Sequence, residues 1–318
     1  MVCCVVGGSG FIGRHVVQKL VAEGRDVRVI GRRVKPSSGL DAKVSYLSGD
    51  YGDKAFMERA LSGVDEIIDL AYSTVPKSSF EDPIHDITTN LPKAVNLFQA
   101  VAEKQNIRKL VVVSSGGTVY GPALQVPITE AHQTNPISPY GITKLAIEKY
   151  ALMYHRLFNV PVTIARPSNA YGEGQLPYRG QGFIATAIAN ILKGDTVTVY
   201  GGDQIVRDYV HVEDVANGIV AILDSGRPGV CYNLGSGVGH TTNKVLSLIN
   251  VLAQQLGRVV TVEPQPLRPF DVLTNILDCS RMQAETGWQA KIGLAEGLER
   301  VWQGFTSSPS EQLSPSDR

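Results

Sequence analysis

The chain has 318 residues, 30 Lys+Arg against 30 Asp+Glu, a formal net charge of +0 and 43% hydrophobic residues. At roughly 150 residues per domain, that length implies about two domains, or one large core with an appended lobe. The composition excludes a disordered chain and offers no electrostatic reason to expect a nucleic-acid or membrane-surface partner.

Val2–Val6, the first apolar run, reads as a strand, and Gly7 and Gly8 end it too early for a signal peptide or a membrane span. Cys3 and Cys4 lie inside it, and with Cys231 and Cys279 they form no C-x-x-C pair, so reduced, buried thiols in a cytosolic protein are expected. Further short β-branched runs follow at Asp26–Ile30, Val44–Leu47, Glu66–Leu70, Lys109–Ser114 and Val162–Ala165. Helical period fills Phe11–Ala22, Pro92–Glu103 and Tyr140–Phe158 between them. Such alternation forces right-handed crossovers and predicts an α/β fold, a doubly wound parallel sheet over residues 1–170. After Arg166 the rhythm changes. A short strand at Thr196–Tyr200, a helix at Lys244–Leu256 and a strand at Val259–Val262 predict a smaller mixed α/β substrate lobe over 171–305, partly interleaved with the sheet. Ser- and Pro-rich 306–318 predicts a disordered tail.

Gly7, Gly10 and Gly13 are spaced G-x-x-G-x-x-G between the first strand and the first helix, which brings backbone close to a dinucleotide pyrophosphate at the helix N-terminus. A glycine-rich turn without ligand is the plainer alternative, which the strand–turn–helix setting disfavours. At the end of the second strand a carboxylate would select NAD and an arginine would accommodate the extra phosphate of NADP. The chain has Gly31-Arg32-Arg33 there. The cofactor expected is NAD or NADP, with Arg32 and Arg33 leaning to NADP unless both are merely solvated surface residues.

Tyr140 and Lys144 are four residues apart, hence on one helix face, and no other tyrosine in the chain has a lysine at that spacing. An ammonium beside a phenol, aided by an oxidised nicotinamide, favours the phenolate and draws its pKa from about 10 toward working pH. Tyr140 is then a proton acceptor for an alcohol that loses hydride to the cofactor. The six histidines and four cysteines show no ligand spacing, so no metal is expected. His211 reads as a core or helix-entry residue, and the aromatic residues as core.

With these motifs the sequence resembles the extended short-chain dehydrogenase/reductase family, within it the nucleotide-sugar epimerases and dehydratases, and most closely the UDP-glucose 4-epimerase type. The likeness runs from Gly7 to about Trp302. Gly49-Asp50, Asp69-Leu70-Ala71, Asn90, Ser114-Ser115-Gly116-Gly117-Thr118-Val119-Tyr120-Gly121, Arg166-Pro167-Ser168-Asn169, Arg207-Asp208-Tyr209-Val210-His211 and Arg268-Pro269-Phe270-Asp271 carry it. The resemblance implies a Rossmann domain whose cofactor contacts include Gly7, Gly10, Phe11, Ile12, Gly13, Arg32, Arg33, Asp50, Tyr51, Leu70, Ala71, Asn90, Ser114, Tyr140, Lys144 and Pro167. It implies Tyr140, Lys144 and Ser115 as catalytic residues. Substrate contacts would come from Ser115, Gly116, Thr118, Asn169, Arg207 and Arg268, the last three taking the diphosphate of a UDP-sugar.

The chain departs from the family at Gly116, where the family carries a hydroxyl, leaving Ser115 or Thr118 to supply it; strand alternation complicates a one-residue replacement. Asn169 can otherwise serve as a turn former, and Arg207 and Arg268 as ion-pair partners. The implied activity is a 4-epimerase acting on a UDP-hexose or UDP-N-acetylhexosamine through a 4-keto intermediate. The alternatives are an NADPH-dependent 4-keto reductase, supported by Arg32 and Arg33, and a non-catalytic dinucleotide-binding protein, supported by Gly116. A 4,6-dehydratase fits less well, because Gly116-Gly117-Thr118 supplies no acid and base. The family also implies a homodimer with Pro92–Glu103 and Tyr140–Phe158 at its interface, and the cysteine pattern keeps the expected setting cytoplasmic.

Overall fold

Alternating side chains of the first strand face opposite ways, and two helical layers cover them. In the computed structural model, which describes residues 1–36, 40–104, 106–268 and 271–307, β1 (Val2–Val6), β2 (Asp26–Gly31), β3 (Ser45–Ser48), β4 (Glu66–Asp69), β5 (Lys109–Val113) and β6 (Val162–Pro167) form a parallel sheet. Cys4 and Val6 pack toward α2 (Lys54–Ala60), α4 (Pro83–Glu103) and α5 (Pro139–Phe158), among Met57, Leu97, Phe98 and Ala151. Cys3 and Val5 pack the other way, among Val17 and Leu20 of α1 (Phe11–Ala22) and Ile219 of α7 (Val212–Ser225). A strand buried on both faces explains why β1 reads as an uninterrupted apolar run.

The strands lie in the order β3, β2, β1, β4, β5, β6, with β10 (Cys231–Leu234) added beside β6 as a seventh parallel strand. The winding reverses between β1 and β4, so a crevice opens beyond their carboxyl ends, where ligands of this architecture bind.

Residues beyond β6 build further layers. β7 (Asn169–Tyr171), β9 (Val206–His211), β11 (Gly239–Thr241) and β13 (Thr274–Asn275) form a small mixed sheet, and β8 (Val197–Tyr200) pairs with β12 (Val262–Gln265). A separate apolar cluster joins α6 (Phe183–Lys193), α8 (Thr242–Gln255) and α10 (Leu294–Ser307) through Ile188, Ile249 and Trp302. Short helices α3 (Pro76–Glu81) and α9 (Ser280–Thr286) complete the fold.

Three expectations need correction. α4 begins at Pro83, capped by Asp82, whose carboxyl accepts the His85 amide at 2.8 Å, and Pro92 lies inside the helix instead of opening it. The strand expected at Val259–Val262 is β12, Val262–Gln265, in register with Val197–Tyr200. Thr306 and Ser307, placed in the disordered tail, are the last residues of α10; the rest of that tail lies outside the described residues.

Candidate active site

Gly7 adopts φ +80°, and its amide bonds to the Ile30 carbonyl at 2.9 Å, which pins the end of β1 to β2. A Cβ at Gly13 would lie 2.3 Å from the Gly7 carbonyl oxygen and 2.7 Å from Gly8 Cα, so only glycine lets α1 press against the turn. A Cβ at Gly7 would meet the Ala71 backbone at 3.0 Å, directly across the point where the sheet reverses. Gly10 caps α1 without a side-chain bond, and no acid occupies the first turn that Phe11 and Ile12 begin. These bare amides at the positive helix end, with no Cβ in the way, fit a dinucleotide pyrophosphate.

Arg32 and Arg33 are exposed beyond β2. Asp50 is held by the Lys93 ammonium at 2.7 and 2.8 Å. Burial works against its ionisation, but Lys93 and the Gly52 amide outweigh that and hold it below the ordinary carboxyl range. Tyr51 is buried, with the Asn96 amide bonded to its carbonyl at 3.0 Å. Asp69 ends β4 and accepts the Ala71 amide at 3.1 Å, fixing Leu70 and Ala71 along the crevice. Burial raises Asp69 to about 6, opposed by that amide and by Lys144. Asn90 on α4 accepts the Ser73 amide at 2.7 Å.

α5 carries the central pair. Ser138 caps it by accepting the Gly141 amide at 3.1 Å, and Pro139 opens the first turn. Tyr140 follows, its amide bonded to Ser79 Oγ at 3.2 Å. One turn on, Lys144 is buried, donates from Nζ to the Val113 carbonyl at 3.0 Å, and lies 5.8 Å from the Tyr140 ring centre. The sequence spacing thus does bring phenol and ammonium together. The expected lowering of the Tyr140 pKa is not found in the protein alone: burial, and then the nearby Asp86 carboxyl, push the phenol well above its ordinary value. Burial pulls Lys144 the other way, to about 8, against Asp69, Glu148 and Asp86.

Tyr140 lines a cleft of about 240 Å³ together with Ser115, Gly117, Thr118, Ser168, Asn169, Tyr200, Arg207, Tyr209 and Arg268. Gly116 is absent from the lining. It is buried, its carbonyl accepts the Asn275 amide at 3.0 Å, and a Cβ there would meet Leu277 at 2.6 Å and the Arg166 carbonyl at 2.8 Å. A side chain at 116 would therefore run into core, while the buried Oγ1 of Thr118 and Oγ of Ser168 have no hydrogen-bond partner among the described residues. Ser114 is buried just behind, and the Pro167 carbonyl accepts the Gly116 amide at 2.8 Å. Asn169 donates to the Asp208 carbonyl at 3.4 Å.

Among the described residues Arg207 bonds the carbonyls of Val206 at 3.1 Å and Leu273 at 3.2 Å; burial, with Arg268 adding to it, lowers its pKa. Arg268 forks onto Asp271, with both bonds at 2.8 Å, and sits 4.6 Å above the Tyr200 ring. Pro269 and Phe270 of that stretch lie outside the described residues. Two guanidinium groups that disfavour one another form a place for a doubly charged anion.

His211 caps α7, accepting the Glu213 amide at 3.3 Å, and its other ring nitrogen lies 3.0 Å from Glu173. Among the described residues no group of three His, Cys, Asp or Glu could hold a metal ion, and no helix is long and apolar enough to cross a membrane. Sequence reasoning missed Tyr72, Thr74 and Asp86, which lie against the Tyr140–Lys144 pair. Tyr72 directly follows the recognised Asp69-Leu70-Ala71 segment, which is the one signal that could have found it.

The glycine turn at a reversal of a parallel sheet, facing a tyrosine–lysine pair, defines a dinucleotide-dependent enzyme of the short-chain dehydrogenase type. Residues 3–235 match the model of the NAD dependent epimerase/dehydratase family, and the chain belongs to that family. It is 32% identical to the UDP-glucose 4-epimerase of Mycolicibacterium smegmatis, over 95% of this chain and 97% of that one. The UDP-glucose 4-epimerase of Thermus thermophilus in complex with NAD superposes with a TM-score of 0.89 at 33% identity, covering 97% of this chain and all of that one. That of Thermotoga maritima with UDP-glucose gives 0.91 at 30%, covering 98% and 100%.

Proposed function

We propose that the chain interconverts UDP-sugars by inverting C4 of a UDP-hexose or UDP-N-acetylhexosamine, with a nicotinamide dinucleotide retained in the crevice. The observation that carries this reading is the opening of Tyr140, backed by Lys144, into the same cleft as Arg207 and Arg268. The glycine turn, Asp50, Tyr51, Leu70, Ala71, Asn90, Ser114 and Pro167 would hold the cofactor. When bound, the oxidised nicotinamide supplies a hydride acceptor for C4 and a positive charge that favours the phenolate of Tyr140. Tyr140 takes the proton of the sugar 4-hydroxyl and later returns it. Thr118 and Ser115 offer hydroxyls to the same oxygen in place of Gly116. Asn169, Arg207 and Arg268 keep the diphosphate in place while the 4-keto sugar turns its other face.

Residues 171–305 serve as the substrate lobe in this reading. Arg32 and Arg33, at a position after β2 where the sequence carries no acid, favour the extra phosphate of NADP over NAD, although Asp50 lies near Arg32. The same feature supports the second reading, an NADPH-dependent 4-keto reductase. Buried, unpaired thiols at Cys3 and Cys4 fit a reducing, cytosolic setting. A homodimer is supported by apolar side chains left exposed on the adjacent α4 and α5, among them Ile84, Ile87, Ile142, Met153 and Leu157.

Incubation with UDP-galactose tests the activity. UDP-glucose should form without added reductant, and Tyr140→Phe should lower kcat by about 10²–10⁴-fold while dinucleotide binding persists. A fully active Tyr140→Phe protein would end the reading, and consumption of NADPH with a keto sugar would favour the reductase.

A further inference from the structure

Against the Tyr140–Lys144 pair lies Tyr72, held by Asp86 and Thr143, with Thr74 in turn on Asp86, side chains that the proposed reaction leaves unused. Tyr72, in the loop after β4, has its ring centre 4.1 Å from the Lys144 ammonium and 4.9 Å from the Tyr140 ring centre, with the two rings 68° apart. Its hydroxyl donates to the carboxyl of Asp86 on α4, 3.2 and 3.4 Å from the two oxygens, and accepts from the Thr143 hydroxyl on α5. Asp86 is fully buried and also accepts the Thr74 hydroxyl. The Asn90 amide donates to that hydroxyl oxygen at 3.2 Å and to the Asp86 carbonyl at 2.8 Å.

A carboxyl buried this deeply is tolerated only when its hydrogen bonds are satisfied. Here the bonds from Tyr72, Thr74 and Asn90 meet at Asp86, which in turn holds the Tyr72 phenol. Packing alone would let the ring slide along Lys144, whereas bonds from two different helices fix both its height and its tilt. An ammonium over a ring face in a dry site is stabilised by the ring quadrupole. Lys144 needs that support, since burial draws it to about 8. The charged groups facing it are Asp69 on β4, Asp86 on α4 and Glu148 on its own helix, and Glu148 is already bound to Arg166.

We propose that Tyr72 is a positioning residue: clamped by Asp86 and Thr143, its ring keeps the Lys144 ammonium charged and holds the Tyr140 ring edge-on for reaction. This rests on the reading of Tyr140 and Lys144 as the reacting pair, and extends it to a residue outside the lining of the cleft.

The test is a ¹³C NMR titration of lysine-labelled protein, assigned with Lys144→Met, together with the pH profile of kcat. In Tyr72→Leu the Lys144 midpoint should fall by about half to one pH unit. The alkaline limb of kcat should move with it, and kcat should drop about tenfold with KM within about twofold. Tyr72→Phe, which keeps the ring face but loses the hydroxyl bonds to Asp86 and Thr143, should recover only part of the midpoint shift and of kcat; full recovery of both would overturn the clamp. Should Tyr72→Leu not fold, Tyr72→Met is read in its place. An unmoved Lys144 midpoint, or a loss confined to KM, overturns the proposal. The titration needs no substrate. If it shifts while the wild-type protein epimerises nothing, the reaction reading fails and the clamp stands; if the wild type turns over and the titration stays still, the clamp alone fails.

Discussion

The guanidinium of Arg166 grips both carboxyl oxygens of Glu148, at 2.9 and 2.5 Å, and so ties the helix bearing Tyr140 and Lys144 to the strand beneath it. The third arm of Arg166 donates to Tyr120 Oη at 2.9 Å, and Tyr120 in turn donates to Asn233 on β10 at 2.7 Å. Both members of the pair are buried. Removing one partner alone leaves an uncompensated charge in the core. Arg166→Met should therefore cost about 3–5 kcal/mol in urea unfolding. The double variant with Glu148→Leu should recover part of that loss, and strict additivity would show that the two do not act as a pair.

The pH dependence of turnover follows from Lys144. Its charged form is the protonated one, so rising pH discharges it, and with a pKa drawn down to about 8 by burial the discharge falls inside the working range. On this account kcat declines on the alkaline side of about pH 8, where an ordinary lysine would hold its charge to about 10.4. Profiles of kcat from pH 6 to 10 check this; a plateau held from pH 8 up to pH 10 would show that the Lys144 charge does not matter.

Cofactor choice is open to direct titration. Replacing Arg32 and Arg33 together by alanine should weaken NADP binding about tenfold or more, with NAD binding changed less than about threefold, as read by fluorescence or calorimetry. Equal losses for both dinucleotides would remove the 2′-phosphate role.

Much of this was visible in the sequence because its signals are local. The run Val2–Val6 and the three glycines after it announce strand, turn and helix by period and spacing, and the four-residue step from Tyr140 to Lys144 announces a shared helix face. Pro92 misled because a proline more often opens a helix than sits within one; in α4 the capped, packed stretch from Pro83 outweighs the missing bond. That error hid Asp86 on the extra turns. No local pattern links Tyr72 to Lys144, or Arg166 to Glu148 and Tyr120, since the sheet crossovers bring them together. The sign of the Tyr140 shift was equally hidden, because proximity to lysine is written in the spacing and depth of burial is not.

The most direct measurement follows the hydrogen at C4. UDP-galactose carrying deuterium at that carbon is incubated with the protein as purified, with no dinucleotide added, and the product is examined by NMR. Removal and return of the same hydride predicts UDP-glucose that keeps its deuterium at C4. Product whose C4 hydrogen comes from water, or no product until a reduced cofactor is supplied, would contradict the account.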